Sequence, residues 1–180
     1  MKSVLLVPLA GPMQSWGTRS RFQIRDTERE PSKSGVIGLL CAALGRDRTS
    51  SLDDLSALRM GVRVDQEGRL SKDFQTASNV AVASDGPNQN LISERFYLSD
   101  SIFLVGLEGE DPAFLGRLHA ALANPVWTLF LGRKSYVPSI PLYLPDGLRV
   151  HRSLESAFAE YPLLAQERPD QVRLVIEVEE

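Results

Sequence analysis

Two hydrophobic periods alternate along this chain, and the switches between them divide it into strands and helices. Val4, Leu5, Leu6 and Val7 form a continuous apolar run, β-branched at both ends, the pattern of a buried central strand that ends at Pro8. Residues 10–17 read as a loop with Gly11 and Gly17 near its ends. Arg19, Arg21, Gln23 and Arg25 then alternate with other residues, so an extended backbone sets three arginines on one face. Pro31 and Ser32 break that segment. Ser34 is placed to cap a helix over 35–44 that Gly45 stops, and this helix is apolar on nearly every side, hence buried. A short helix over 52–58 and a half-exposed strand over 60–64 follow.

From 73 to 100 the pattern changes. Strand-like arms at 74–82 and 94–98 flank a polar, turn-rich stretch at 84–90, the signature of a long protruding hairpin with a mobile tip. A second buried strand covers 102–105. Asp111-Pro112 is a helix start, with Phe114, Leu115, Leu118 and Leu122 as its apolar stripe and an end near Pro125. A last alternating strand spans 172–178. Strand, helix, strand, strand, helix, strand is the order of a ferredoxin-like α+β domain, here with a β-hairpin inserted over about 73–100.

Composition narrows the class. Hydrophobic residues are 43% of 180 and charged residues 24%, enough to bury a core without staples. The single cysteine, Cys41, excludes a disulfide framework and a cysteine metal site. No run is long enough to span a bilayer and no signal peptide is evident, so the expected compartment is cytoplasmic. Net charge is −3, but residues 1–48 carry eight Lys/Arg against four acids. A local basic surface on an acidic body suits a protein that holds one anionic ligand at one place.

Candidate chemistry sits in short segments. The 11–17 loop offers backbone amides, with Gln14, Ser15 and Trp16 for hydrogen bonding and stacking, or else a structural loop with Trp16 in the core. Lys33 and Ser34 open the buried helix, where phosphate binding and simple capping are both compatible with the pattern. Gly132, Arg133, Lys134 and Ser135 make a basic, glycine-led turn. It is not a nucleotide-hydrolysing loop, because Trp127 stands where the upstream glycine belongs. Arg19, Arg21 and Arg25 suit a phosphate row, with ion pairs to Asp26 and Glu28 as the alternative. Arg95 and Tyr97 lie on the returning hairpin arm. Acid–base candidates are few: Tyr136, Lys134, His119 and His151, at spacings that demand no catalytic role. Asp53-Asp54 and Glu108-Glu110-Asp111 read as helix starts rather than as metal clusters.

The runs from Gly11 to Gly17, Arg25 to Thr27, Pro31 to Leu40, Leu131 to Ser135 and Val137 to Ser139 together resemble the CasD family. These are the 5′-handle subunits of the type I-E CRISPR surveillance complex, Cascade. The resemblance implies a RAMP-type (RRM-like) domain with a protruding thumb, in cytoplasmic antiviral defence. It implies that the chain hooks the 5′ handle of the CRISPR RNA and packs against the large subunit CasA and the backbone subunit CasC. It implies no cofactor, metal, membrane or small-molecule substrate. The residues expected at the RNA are Gly11, Met13, Gln14, Ser15, Trp16, Arg19, Arg21, Arg25, Lys33, Ser34, Arg95, Tyr97, Gly132, Arg133, Lys134 and Ser135. In type I-E systems another subunit, CasE, cuts the guide. In a sister subtype the corresponding protein is a metal-independent endoribonuclease, which is the alternative expectation. Family members usually continue past the position of Glu180, so a C-terminal lobe is expected to be truncated or absent.

Overall fold

In the computed structural model, residues 1–19, 23–81, 87–166 and 171–178 are described. The body is built on a five-stranded sheet of order β8-β1-β7-β4-β9. Its members are β1 (Ser3–Ala10), β4 (Arg59–Gln66), β7 (Ile102–Gly109), β8 (Leu148–Arg149) and β9 (Arg173–Ile176), and every pairing is antiparallel. Taking β1, β4, β7 and β8 as first to fourth, the order is that of a ferredoxin-like sheet. The strand expected over 172–178 is therefore not the fourth strand of that motif. β9 is an addition on the far edge, beside β4, and the short β8 holds the fourth place.

β1 runs through Pro8 to Ala10 instead of stopping there. The amide of Leu6 donates to Gly147 and the carbonyl of Ala10 accepts from Ser139. By alternation, Pro8 faces that same side, where β8 pairs only with Val4 and Leu5. No strand donor is lost there.

Helices α1 (Lys33–Leu44) and α3 (Pro112–Ala123) cover one sheet face, with Leu5, Val7, Leu9, Val62, Phe103, Val105 and Leu107 beneath them. Helix α4 (Leu154–Glu160) covers the other, over Val4, Leu6 and Leu104. Gly61 and Gly106 are register partners on that face, and β-carbons there would stand 2.9 and 3.0 Å from the Phe158 ring. Two missing side chains thus make the seat for α4. Cover on both faces explains why β4, expected to be half-exposed, is buried from Met60 to Asp65.

Ser32, not Ser34, caps α1: its Oγ accepts from the Gly35 amide, and Gly45 stops the helix in the left-handed region at φ 70°. Asp111 caps α3 as expected, with Pro112 at its first turn. The short α2 (Asp53–Ser56) precedes β4.

The hairpin is longer than expected. β5 (Arg69–Val80) pairs with β6 (Gln89–Ser99), so Gln89 and Asn90 belong to a strand rather than to the tip. Ser84, Asp85 and Gly86, and with them Val82, lie outside the described residues. On its other edge β6 receives β2 (Met13–Gln14), antiparallel, and β3 (Ile24–Arg25), parallel.

Candidate nucleic-acid interface

Four segments meet at the first turn of α1, three from residues 15–35 and one about a hundred positions later: loop 15–17, β3 with Asp26, the capping stretch 32–35, and the turn at Gly132–Arg133. They line a cleft of about 310 Å³. Gly132 makes the closure possible. It lies at φ 86°, and a β-carbon there would stand 1.6 Å from the Ser15 carbonyl oxygen. The Ser15 amide donates to the Leu131 carbonyl at 3.1 Å, and the Leu131 amide to Tyr136 at 2.8 Å, so loop and turn form one hydrogen-bonded unit.

Trp16 is buried, 1% exposed, and lies on Gly35, whose β-carbon would meet the indole at 2.9 Å. The structural reading of this loop therefore holds for its side chains. Gln14 is fully buried; its Nε2 donates to Leu9 and Ser101, and its Oε1 accepts from Trp16 Nε1. The Ser15 hydroxyl donates toward the Phe96 and Asp26 carbonyls. Gly11 is buried against Leu131 and Val137. None of these side chains is free to stack on or bond to a base: each is spent on fixing the loop. Met13 is half-buried against the core.

Arg133 is likewise bound into the fold. Its guanidinium donates to the Tyr136 hydroxyl at 2.8 Å and to the carbonyls of Phe96 and Arg25 at 2.9 and 3.3 Å, and it lies 5.3 Å from the Tyr136 ring centroid. Its partners are neutral, and among the described residues it forms no ion pair. Its charge remains at the cleft. Arg25 is exposed and is the direct partner of Arg95 in the parallel β3–β6 pairing, which puts two arginines seventy positions apart on one sheet face. Arg95 is half-buried, with Nε donating to the Ser93 hydroxyl. Tyr97 packs on Tyr136 at 6.0 Å between centroids, a joint between hairpin and body.

The first-turn amides of α1 have no intrahelical acceptors, and the helix dipole adds to the positive potential here. Ser34 is exposed at this end. Lys33 is turned away: its Nζ pairs with Glu177 at 2.8 Å, in the segment after β9. That contact, like the true cap Ser32, was invisible to spacing arguments. Arg19, Lys134 and Ser135 are exposed, and Arg21 lies outside the described residues.

The acid–base candidates do not converge. His119 Nε2 bonds the Leu144 carbonyl at 2.7 Å and stacks on Tyr143, while Tyr136 is buried beneath Arg133. Among the described residues, no cluster of His, Cys, Asp or Glu fits a metal ion and no helix is long and apolar enough to cross a membrane.

The model of a family described as CRISPR-associated protein (Cas_Cas5) matches residues 4–179. The CRISPR system Cascade subunit CasD of Escherichia coli (strain K12) is 36% identical over 159 residues, 80% of this chain and 71% of that protein. A solved crystal structure of a Cas protein superposes with a TM-score of 0.79 and 53% identity, covering 98% of this chain and 80% of that one. A chain of a CRISPR RNA-guided surveillance complex superposes at 0.70 with 37% identity, covering 77% of this chain and 61% of that one.

Proposed function

The chain belongs to the CRISPR-associated Cas5 family, and from that premise we propose that it holds the 5′ handle of a CRISPR RNA within a type I-E surveillance complex, as a binding subunit and not a nuclease. One observation carries the reading: residues 15–35 and the distant turn at 132–133 converge on a cleft where Arg25, Arg133 and the amino end of α1 outweigh the one carboxylate, Asp26. Such an end attracts phosphate, and guanidinium groups position a backbone without reading its bases. In this reading Arg25, Ser34, Lys134 and Ser135 meet the RNA directly, with Arg19 at the rim. Gly11, Gln14, Ser15, Trp16, Gly132 and Arg133 shape the backbone that receives it. Arg95 extends the basic row up the hairpin. The domain is one RNA-binding unit whose β5–β6 hairpin acts as a thumb toward a backbone subunit of the CasC kind, with CasA against the body. It works in the cytoplasm without cofactor or metal.

The test is binding and integrity of a labelled handle RNA incubated with the purified chain in EDTA. Arg25→Glu combined with Ser34→Asp places two negative charges in the cleft and lowers handle affinity more than tenfold, a loss of over about 1.4 kcal/mol, while the melting curve and the RNA stay intact. Site-specific cleavage would make the chain a ribonuclease. Unchanged affinity would reject the cleft.

A further inference from the structure

Beside the cleft, a groove of about 820 Å³ runs between the outer face of α1 and the segment that follows α3. Its floor is made of small residues, Gly38, Cys41 and Ala42, on one side of the helix. Its wall is Trp127, 48% exposed. That wall is fixed by its backbone. The amides of Val126 and Trp127 donate to the Ala43 and Ala42 carbonyls at 3.0 and 3.1 Å, supplying partners to carbonyls that the end of a helix leaves over. Gly45 leaves room for this: a β-carbon there would meet Val126 Cγ1 at 2.8 Å. A large aromatic ring on a segment already held in place loses little freedom when a ligand covers it.

Charge selects the ligand. Arg46 is spent on Asp54 through both terminal guanidinium nitrogens, Nη1 and Nη2. Asp47 accepts from Thr49 and Ser50 inside its own turn and keeps its negative charge, so Arg48 and Lys134 together leave the groove net positive. Arg48 and Lys134, also lining the groove, form no ion pair among the described residues. A half-exposed indole, a floor of small side chains and two unpaired cations fit a planar group that carries negative charge. Continuity points the same way. Lys134 follows the cleft's Arg133 in the chain, and Gly38 lies one helical turn, about 6 Å, beyond Ser34.

We propose that this groove holds an unpaired nucleotide of the same RNA that enters the cleft, its base against Trp127 and its flanking phosphates at Arg48 and Lys134. The inference rests on the RNA reading of the cleft and adds an aromatic subsite to it. Base–aromatic stacking tolerates any base, so this subsite adds affinity without dictating sequence.

The chain has two tryptophans, Trp16 buried beside the cleft and Trp127 half-exposed in the groove, so the part of the emission quenching by a short single-stranded RNA that disappears in Trp127→Ala reports on Trp127. The parent protein is expected to show quenching. Trp127→Ala is expected to weaken binding roughly 5- to 100-fold, and Trp127→Phe to recover most of it, all with coincident melting curves. If Trp127→Ala keeps full affinity while Arg25→Glu loses it, the groove proposal is overturned and the cleft stands. If Trp127→Ala keeps RNA affinity but no longer captures a neighbouring protein subunit, the groove belongs to protein and the proposal is again overturned. If the parent chain binds no RNA, both readings go.

Discussion

Gly132 and Arg133 are neighbours with different duties, both structural. An alanine at 132 would need a left-handed backbone and would overlap the Ser15 carbonyl. Gly132→Ala is therefore expected to detach turn 131–136 from loop 11–17 and lower the melting midpoint by about 5 °C or more, read by circular dichroism. Arg133→Ala strips donors from two backbone carbonyls and a tyrosine hydroxyl, so it should destabilise by roughly 1–3 kcal/mol as well as weaken RNA binding. Lys134→Ala touches no such network. It should leave the melting curve unchanged and flatten the slope of log affinity against log salt by about 0.7, the share of one phosphate contact to a single strand. Equal slopes for Lys134→Ala and the parent would remove Lys134 from the RNA.

At the scale of elements, a buried ion pair decides how the sheet is covered. Arg63 and Asp65 lie on one face of β4, Nε to Oδ1 at 2.7 Å. The Arg63 guanidinium also donates to the carbonyls of Phe158, Tyr161 and Pro162, and Asp65 accepts from the Leu164 amide. The pair thereby pins α4 and the segment after it over the sheet face that an open RNA-recognition sheet would present to bases. Arg63→Met abandons those carbonyls and the buried Asp65 charge, and an equilibrium denaturation titration should show a loss of about 3–5 kcal/mol. The thumb has the opposite character. Ile24, Leu70, Phe74 and Ile92 are all exposed on one of its faces, beside Lys72, which lies over the Phe74 and Phe96 rings. Val80 and Phe96 on the same hairpin are half-buried. Joining Ala77 directly to Leu91, register partners in the hairpin, through an Asn-Gly turn should keep the domain folded. The same change should sharply reduce its incorporation with a CasC-type subunit and guide RNA. Full incorporation of the shortened protein would end the thumb's assembly role.

Across the whole molecule, ion pairs tie late segments to early ones. Arg173 on β9 bonds Glu67 and Glu30, at 2.8 and 3.0 Å, and its hydrogen bond holds the Glu67 carboxyl below the ordinary 4.5. Arg46 does the same for Asp54, below 3.8, chiefly by its hydrogen bond. A carboxyl with a depressed folded pKa contributes stability that is complete above its ordinary value and is lost as pH falls through the folded one. The denaturant midpoint should thus hold steady down to about pH 5 and decline below about 4.5, with added salt muting the decline because these pairs face solvent. A midpoint independent of pH down to about 3 would assign these pairs no share in stability.

Local grammar determined a good part of this protein. The apolar runs marked β1 and β7, Asp111-Pro112 and Gly45 marked helix ends, and the polar stretch near 84–90 marked a hairpin. Each is readable because it depends on neighbours a few positions away. The basic amino-terminal segment and the glycine-led turn at 132 likewise announced where a cleft would form. Only the tertiary structure decided which of their side chains face it. Trp16 and Gln14 have the chemistry of a base contact, but nothing within their own loop says that α1 will come to lie on Trp16 through Gly35. Arg133 reads as a phosphate ligand until the carbonyls of Phe96 and Arg25 arrive to receive it. Trp127 gave no signal of its own, because a half-exposed indole becomes a wall only when the end of α1 fixes its backbone. β8, the edge position of β9 beside β4 and the burial of β4 were equally hidden. Their partners are supplied by segments far along the chain, and such long-range pairing leaves no period in the local sequence.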